Sequence, residues 1–247
     1  MTIKNTQKTK VGEILYGAHP IIEMLKANRR KLIALYTTKP TPKAWDRMAE
    51  FMPKYVPNIQ YVTRAILDRM AGTPDHNGVI AWVSPFKYAE KVFDPAKKPL
   101  IVVLDAVQDV RNVGAILRSA NCIGVSGVVL CKSQGAPMNA AVFKASAGLA
   151  EHVEIYLAPT IKSAALELKA AGYNLYMAVL DGGTNAMTTE FKGPACLIIG
   201  NEASGISPEI KKLGTLITLP QRAPDISFNA SVAAGILMFV MNEKLKA

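Results

Sequence analysis

Three polar stretches in the second half of the chain hold the residues whose types and spacing could do chemistry. In the first, Asp109-Val110-Arg111-Asn112-Val113-Gly114-Ala115-Ile116-Leu117-Arg118, the arginine follows Gly114 by one helical turn. Helix side chains lean toward the N-terminus, so Arg118 can lie back across a residue with no side chain and carry its charge to the helix start. A structural salt bridge would use the same arginine equally well. Asn112 stands where a helix cap is expected. In the second stretch, Gly200-Asn201-Glu202-Ala203-Ser204-Gly205, two glycines around an Asn-Glu pair permit a backbone close enough to a ligand to donate and accept directly. A tight strand-to-helix turn would use similar residues. The third stretch, residues 219–240, opens with Pro220, Pro224 and Asp225, which resist regular structure. Ser227, Asn229 and Ser231 then alternate with Phe228 and Ala230 before an apolar helix. Either Asn229 or Ser231 can cap that helix, and small polar groups at a helix start favour an anionic ligand. Taken alone, a capped core helix is the simpler reading of this stretch.

Each of these stretches follows a strand-like run. Residues 100–107, LIVVLDAV, are almost continuously apolar, the pattern of a strand buried on both faces of a parallel sheet, and residues 195–199, ACLII, repeat it. A third strand is expected at 216–219. Between the first two come a helix at 113–124, a strand at 127–131, a helix at 139–150, a strand at 153–157, a helix at 161–171 and a strand at 175–180. Ser207-Pro208 reads as a cap followed by the first residue of another helix. The polar stretches therefore fall on loops at the carboxyl ends of strands, where open α/β sheets bind ligands. No GxGxxG follows a strand and no P-loop is present, which supports neither a dinucleotide fold nor an NTPase.

The first ninety residues read as a separate small αβ unit. Helices are expected at 19–28, 42–52 and 64–70, and strands at 31–38, 59–63 and 79–83. Residues 1–10 are polar and basic and read as a disordered tail. Residues 89–99 carry charge and two prolines without an apolar period, the pattern of a linker. The expected division is thus a unit at 11–88, a linker at 89–99 and a larger domain at 100–247. Lys26, Arg29, Arg30 and Lys31 cluster at one edge of the first unit, which suits phosphate contacts and suits a solvated rim as well.

The 247 residues carry 29 Lys+Arg against 19 Asp+Glu, a formal charge of +10 that favours polyanions such as nucleic acid. Cys122, Cys131 and Cys196 form no CxxC, and His19, His76 and His152 are scattered, so neither a disulfide framework nor a metal site is expected. No apolar run is long enough to span a bilayer and no signal peptide is visible at the start. A soluble, cytoplasmic protein is the expectation.

The three stretches, in this order, resemble the three motifs of the SpoU (TrmH-like) RNA ribose 2′-O-methyltransferases. Those motifs are 109–120, then 199–207, then Leu219-Pro220 with Ser227-Phe228-Asn229-Ala230-Ser231-Val232-Ala233. Val110 stands where a proline is usual, Phe228 where leucine is usual and Ala230 where valine is usual, three apolar replacements that leave the polar groups intact. The first unit, with Tyr16-Gly17-Ala18-His19-Pro20 at its start, is similar to the substrate-binding domain of the ribosomal-RNA branch. The resemblance implies an α/β fold whose C-terminal domain is a trefoil-knotted parallel sheet, preceded by a small RNA-binding αβ domain. It also implies S-adenosylmethionine as cofactor and a homodimer. Carried over by position, Gly200, Leu219 and Phe228 hold the cofactor, while Asn112, Arg118, Glu202, Ser227 and Asn229 form the catalytic set. Arg118 is the family's proposed general base, although a guanidinium holds its proton so firmly that electrostatic stabilisation is the easier role. The activity implied is methylation of a guanosine ribose in large-subunit ribosomal RNA. A transfer-RNA substrate and a non-catalytic RNA-binding or ribosome-assembly factor are the alternatives.

Overall fold

The computed structural model describes residues 12–54, 58–201, 203–222 and 227–246. These form two compact units, and the chain enters the first of them twice: one unit is Met1–Lys87 with Met138–Glu151, the other Tyr88–Pro137 with His152–Ala247.

The first unit begins with a strand that the apolar pattern did not announce, β1 (Glu13–Tyr16). It continues through α1 (Ala18–Ala27), β2 (Leu32–Thr37), α2 (Trp45–Ala49), β3 (Ile59–Tyr61), α3 (Arg64–Ala71) and β4 (Val79–Val83). Its sheet runs β1-β4-β2-β3, antiparallel except for the parallel pair β2 and β3. The helix expected at 42–52 spans only Trp45–Ala49. A turn closed by Trp45 N–H on Pro42 C=O fills the gap.

Residues 139–150, within the segment Met138–Glu151, were expected as one helix of the larger domain. Instead the segment holds a short helix packed into the first unit. Asn139 caps that helix through Oδ1, which accepts from the N–H groups of Ala141 (3.0 Å) and Val142 (3.1 Å). The helix stops at Ala145 because Ala147 and Gly148 are left-handed, at φ 54 and 88. Gly148 also lies so close to α1 that a Cβ would sit 2.7 Å from Pro20 Cα. A buried ion network holds the segment in place. Arg30 bonds Glu151 Oε1 (2.9 Å), Glu13 Oε2 (2.6 Å) and the Ser84 carbonyl (2.7 Å), and lies over the rings of Phe86 and Phe143. Arg30 and Glu151 side chains are each 1% exposed, and burial pushes the Glu151 carboxyl up against the pull of Arg30.

The second unit contains β5 (Leu100–Leu104), α4 (Val110–Ile123), β6 (Gly127–Cys131), β7 (Ile155–Ala158), α6 (Ile161–Ala170), β8 (Asn174–Ala178), β9 (Thr184–Asn185), β10 (Ala195–Ile199), α7 (Pro208–Lys211), β11 (Thr215–Thr218) and α8 (Ala230–Lys246). The helix of the first unit, Ala140–Ala145, takes the remaining place in the numbering as α5. All seven strands are parallel, in the order β7-β6-β5-β10-β8-β11-β9. Strands β5, β6 and β10 are buried at every residue, as their unbroken apolar runs require.

Residues 89–99, expected to link two domains, belong to this unit. Ala89 N–H bonds the Ile155 carbonyl at 2.7 Å, and Phe93 is buried in the core beside Val129 and Tyr173. Gly127 makes room for the Phe93 ring, where a Cβ would come within 2.6 Å. No helix among the described residues is long and apolar enough to cross a membrane.

Candidate active site

The carboxyl ends of β8, β10 and β11 and the start of α8 enclose a cleft of ≈ 570 Å³, a volume that suits a nucleoside-sized ligand. Strand order puts β10 beside both β5 and β8, so the loops that leave these parallel strands emerge on the same rim.

The loop after β10 doubles back sharply. Gly200 has no side chain because a Cβ there would run into Gly205 and lie 2.6 Å from Ile206 N. Asn201 then pairs with Gly205 across the turn, its carbonyl accepting the Gly205 N–H at 2.8 Å. The Asn201 side chain organises the rest. Its Oδ1 accepts from Ala203 N–H (2.9 Å) and Ser204 N–H (3.2 Å), and its Nδ2 donates to the Ala106 carbonyl at 2.8 Å. Ala106, at φ 56, belongs to the loop after β5, so this one side chain joins two of the three polar loops. Next to it, the Asp105 carboxyl is raised above the ordinary aspartate range by burial, against the pull of the Ser207 backbone N–H.

The first and third motifs meet directly. Asn229 Nδ2 donates to Asn112 Oδ1 at 3.1 Å, while Asn229 Oδ1 accepts from Ser231 N–H (2.9 Å) and Ser231 Oγ (2.6 Å). Asn229 therefore caps α8 and reaches the first turn of α4 with the same amide. Asn112 is not the cap of α4, as its position suggested. Asp109 takes that place, accepting from Arg111 N–H at 2.8 Å, so α4 begins three residues earlier than expected and buries Asn112 inside its first turn.

Of the expected site residues, Gly200, Leu219, Ser227, Phe228 and Asn229 line the cleft. Asn112 reaches it through Asn229. Arg118 lies on the exposed side of α4, outside the cleft wall, and among the described residues no carboxylate pairs with it. Glu202 lies outside the described residues. Asn201 was expected to have no role of its own, although asparagine between glycines is a known signal for a turn closed by its own side chain. Leu180 and Asp181, which follow β8, also line the cleft; Leu180 was expected as the end of the strand at 175–180, and neither residue was expected in the site. No cluster of metal-ligating side chains occurs among the described residues.

Comparison with known proteins agrees with this arrangement. Residues 99–239 match the SpoU rRNA Methylase family, and residues 14–89 match the RNA 2′-O ribose methyltransferase substrate-binding family. A putative TrmH family tRNA/rRNA methyltransferase of Bacillus subtilis, YacO, is 32% identical over 242 residues, covering 94% of this chain and 96% of the relative. The fold is shared with the SpoU methyltransferase AviRb of Streptomyces viridochromogenes, solved with AdoMet, at TM-score 0.79 and 18% identity over 98% of this chain and 93% of that one. An AdoMet-bound rRNA methyltransferase from Sinorhizobium meliloti gives TM-score 0.79 at 22% identity, covering 95% of this chain and 88% of that one.

Fold and cleft thus define a methyltransferase of the α/β class that acts on RNA and draws its methyl group from S-adenosylmethionine. The chain belongs to the SpoU rRNA methylase family.

The cleft fits that cofactor: its glycine turn lets main-chain groups approach, and its lining mixes apolar side chains with Ser227 and Asn229. Asn201→Ala removes four hydrogen bonds, the fourth a 3.5 Å contact from Ser204 Oγ, each worth up to about 1 kcal/mol net. It is expected to weaken S-adenosylmethionine binding about tenfold or more in a calorimetric titration, whereas an unchanged Kd would mean that the loop holds its shape without the side chain.

Proposed function

We propose that the chain methylates a ribose 2′-hydroxyl, of a guanosine by the family resemblance, in large-subunit ribosomal RNA. The observation that carries this reading is the hydrogen bond between Asn112 and Asn229, which makes the first motif and the cofactor cleft one site. Bound S-adenosylmethionine would supply an electrophilic methyl group on a sulfonium. Gly200, Leu219 and Phe228 would hold it, largely through main-chain groups. Ser227 and Asn229 offer a hydroxyl and an amide to the cleft, and Asn112 keeps the Asn229 amide turned the right way. Arg118 supplies a permanent positive charge for the flanking phosphate and for negative charge developing on the ribose oxygen. Glu202 completes the set by its place in the second motif.

Ribosomal rather than transfer RNA is favoured by how much of the chain its likenesses cover. The S. meliloti rRNA methyltransferase matches 95% of this chain, first unit included, whereas a TrmH/SpoU tRNA-modifying enzyme from A. aeolicus matches 63%. Mass-spectrometric mapping of ribose methylation after incubation with unmodified ribosomal and transfer RNA is the direct test. A new 2′-O-methyl group in transfer RNA alone would reverse the assignment, and none in either pool would remove it. Such substrates imply a cytoplasmic enzyme.

The reading includes a knotted C-terminal segment and a homodimer. Val232, Ile236 and Phe239 are 48%, 37% and 59% exposed and recur at helical spacing along α8, next to the cleft residue Phe228. A stripe of this kind fits a second copy of the same helix. Phe239→Lys is expected to turn a dimer into a monomer in sedimentation velocity at micromolar concentration, and a monomeric unmodified protein would exclude the dimer.

A further inference from the structure

The first unit carries exposed aromatic side chains as well as positive charge. Between Gly12 and Lys87 there are eleven Lys+Arg against six Asp+Glu, so this unit carries much of the positive charge of the chain. Strand β3 is the last in its sheet, paired only with β2, and all three of its residues are exposed. In the register of the pair, Ile59 opposes Leu35 and Tyr61 opposes Thr37, which sets Ile59 and Tyr61 on one face of the sheet. They are 37% and 49% exposed. Lys39, from the loop after β2, places its ammonium 4.3 Å from the centroid of the Tyr61 ring. A second pair of the same kind joins Lys26 to the 38%-exposed Phe51, at 4.9 Å.

We propose that Tyr61, with Lys39 beside it and Ile59 along the strand, is a stacking platform for an unpaired base of the RNA substrate. The inference rests on the reading of this chain as an RNA methyltransferase and adds where, and in what state, the first unit holds the RNA. A cation over one face of an aromatic ring leaves the other face open to a base and puts a positive charge where the phosphate of a stacked nucleotide runs. Bases in a duplex are already stacked, so the platform selects a loop or single-stranded segment. The exposed edge of β3 could instead take up a protein strand, but three residues offer too few backbone groups for a firm pairing, and the adjoining cations favour a polyanion.

The test uses the full chain and a fluorescein-labelled single-stranded RNA of about 20 nucleotides, with the dissociation constant measured by anisotropy across a series of KCl concentrations. Tyr61→Ala is expected to weaken binding about tenfold without changing the salt slope, because stacking releases no counterions. Tyr61→Phe, which keeps the ring, is expected to bind like the unmodified chain. Lys39→Ala is expected to lower the slope of log K against log salt by about 0.7, the contribution of one phosphate contact on a single strand. Unchanged affinity in Tyr61→Ala would overturn the assignment and leave the edge to a protein strand. Calorimetric titration with S-adenosylmethionine and methyl transfer by the unmodified chain keep the two readings apart. Failure of both removes the enzyme function itself, whereas normal transfer with an indifferent Tyr61 removes only the platform.

Discussion

Replacing Arg118 with alanine is expected to slow methyl transfer by about a hundred- to a thousand-fold while leaving S-adenosylmethionine binding unchanged. The two halves of this result come from separate observations. Arg118 is absent from the wall of the cleft, so the cofactor loses no contact. It sits exposed on α4, where no carboxylate among the described residues neutralises it, and α4 is tied to the cleft by the Asn112–Asn229 bond. Guanidinium groups are poor proton acceptors, which suits an electrostatic role better than proton abstraction. Removing one such preorganised donor typically costs about 3 to 4 kcal/mol in activation free energy, which sets the predicted loss. Single-turnover methylation of ribosomal RNA gives the rate, and calorimetry gives the cofactor Kd. Arg118→Lys separates the roles further: it is expected to recover part of the rate, since the charge remains while the fork of donors is lost. Full turnover in Arg118→Ala would mean that the charge is not needed.

The second large effect concerns stability. Arg30→Ala is expected to lower the stability of the first unit by about 3 to 5 kcal/mol, the usual cost of breaking a buried pair from one side. Few domains have more than about 5 to 15 kcal/mol in all. The reason is what the substitution strands: Glu151, 1% exposed, keeps its carboxylate in the interior without its nearest cation, with Oε2 already lacking a partner among the described residues. Glu13 and the Ser84 carbonyl lose donors too. Thermal unfolding followed by circular dichroism should show the midpoint of the first unit falling by roughly 12 to 40 °C. The double variant Arg30→Leu/Glu151→Leu is expected to recover much of the loss, because it removes both charges together. A midpoint within 2 °C of the unmodified chain in Arg30→Ala would show the pair to be dispensable.

What the sequence made legible is what local chemistry decides. β4, β6 and β10 begin and end where expected, each bounded by polar or turn-forming residues: Gly78 and Ser84, Ser126 and Lys132, Pro194 and Gly200. Two walls of the cleft come from the second and third polar stretches, which their glycines, serines and asparagines single out, whereas the first stretch does not line it and Leu180 and Asp181 carry no such signal. Asn112 was misplaced because two good caps stand three residues apart, and the choice of Asp109 depends on a helix start that periodicity leaves open by several residues. Phe93 was read as linker because its burial depends on Gly127, which is distant in sequence and lacks the side chain that would signal contact. The placement of 138–151 was the least legible of all. Nothing near Glu151 says that its partner is Arg30, 121 residues away.

That separation also has a bearing on synthesis. Chains leave the ribosome N-terminus first at about 5 to 20 residues per second, and a domain usually folds once its last residue has emerged. Here Arg30 waits for Glu151, so about 6 to 24 seconds pass between the two. The fourth strand of the first unit is complete only at Val83, and from there until Glu151 the unit still lacks α5 and the carboxylate that completes the Arg30 network, while β5, α4 and β6 are made. The first unit is thus begun first and finished after the start of the second, and until residue 151 is made Arg30 lacks one of its two carboxylate partners.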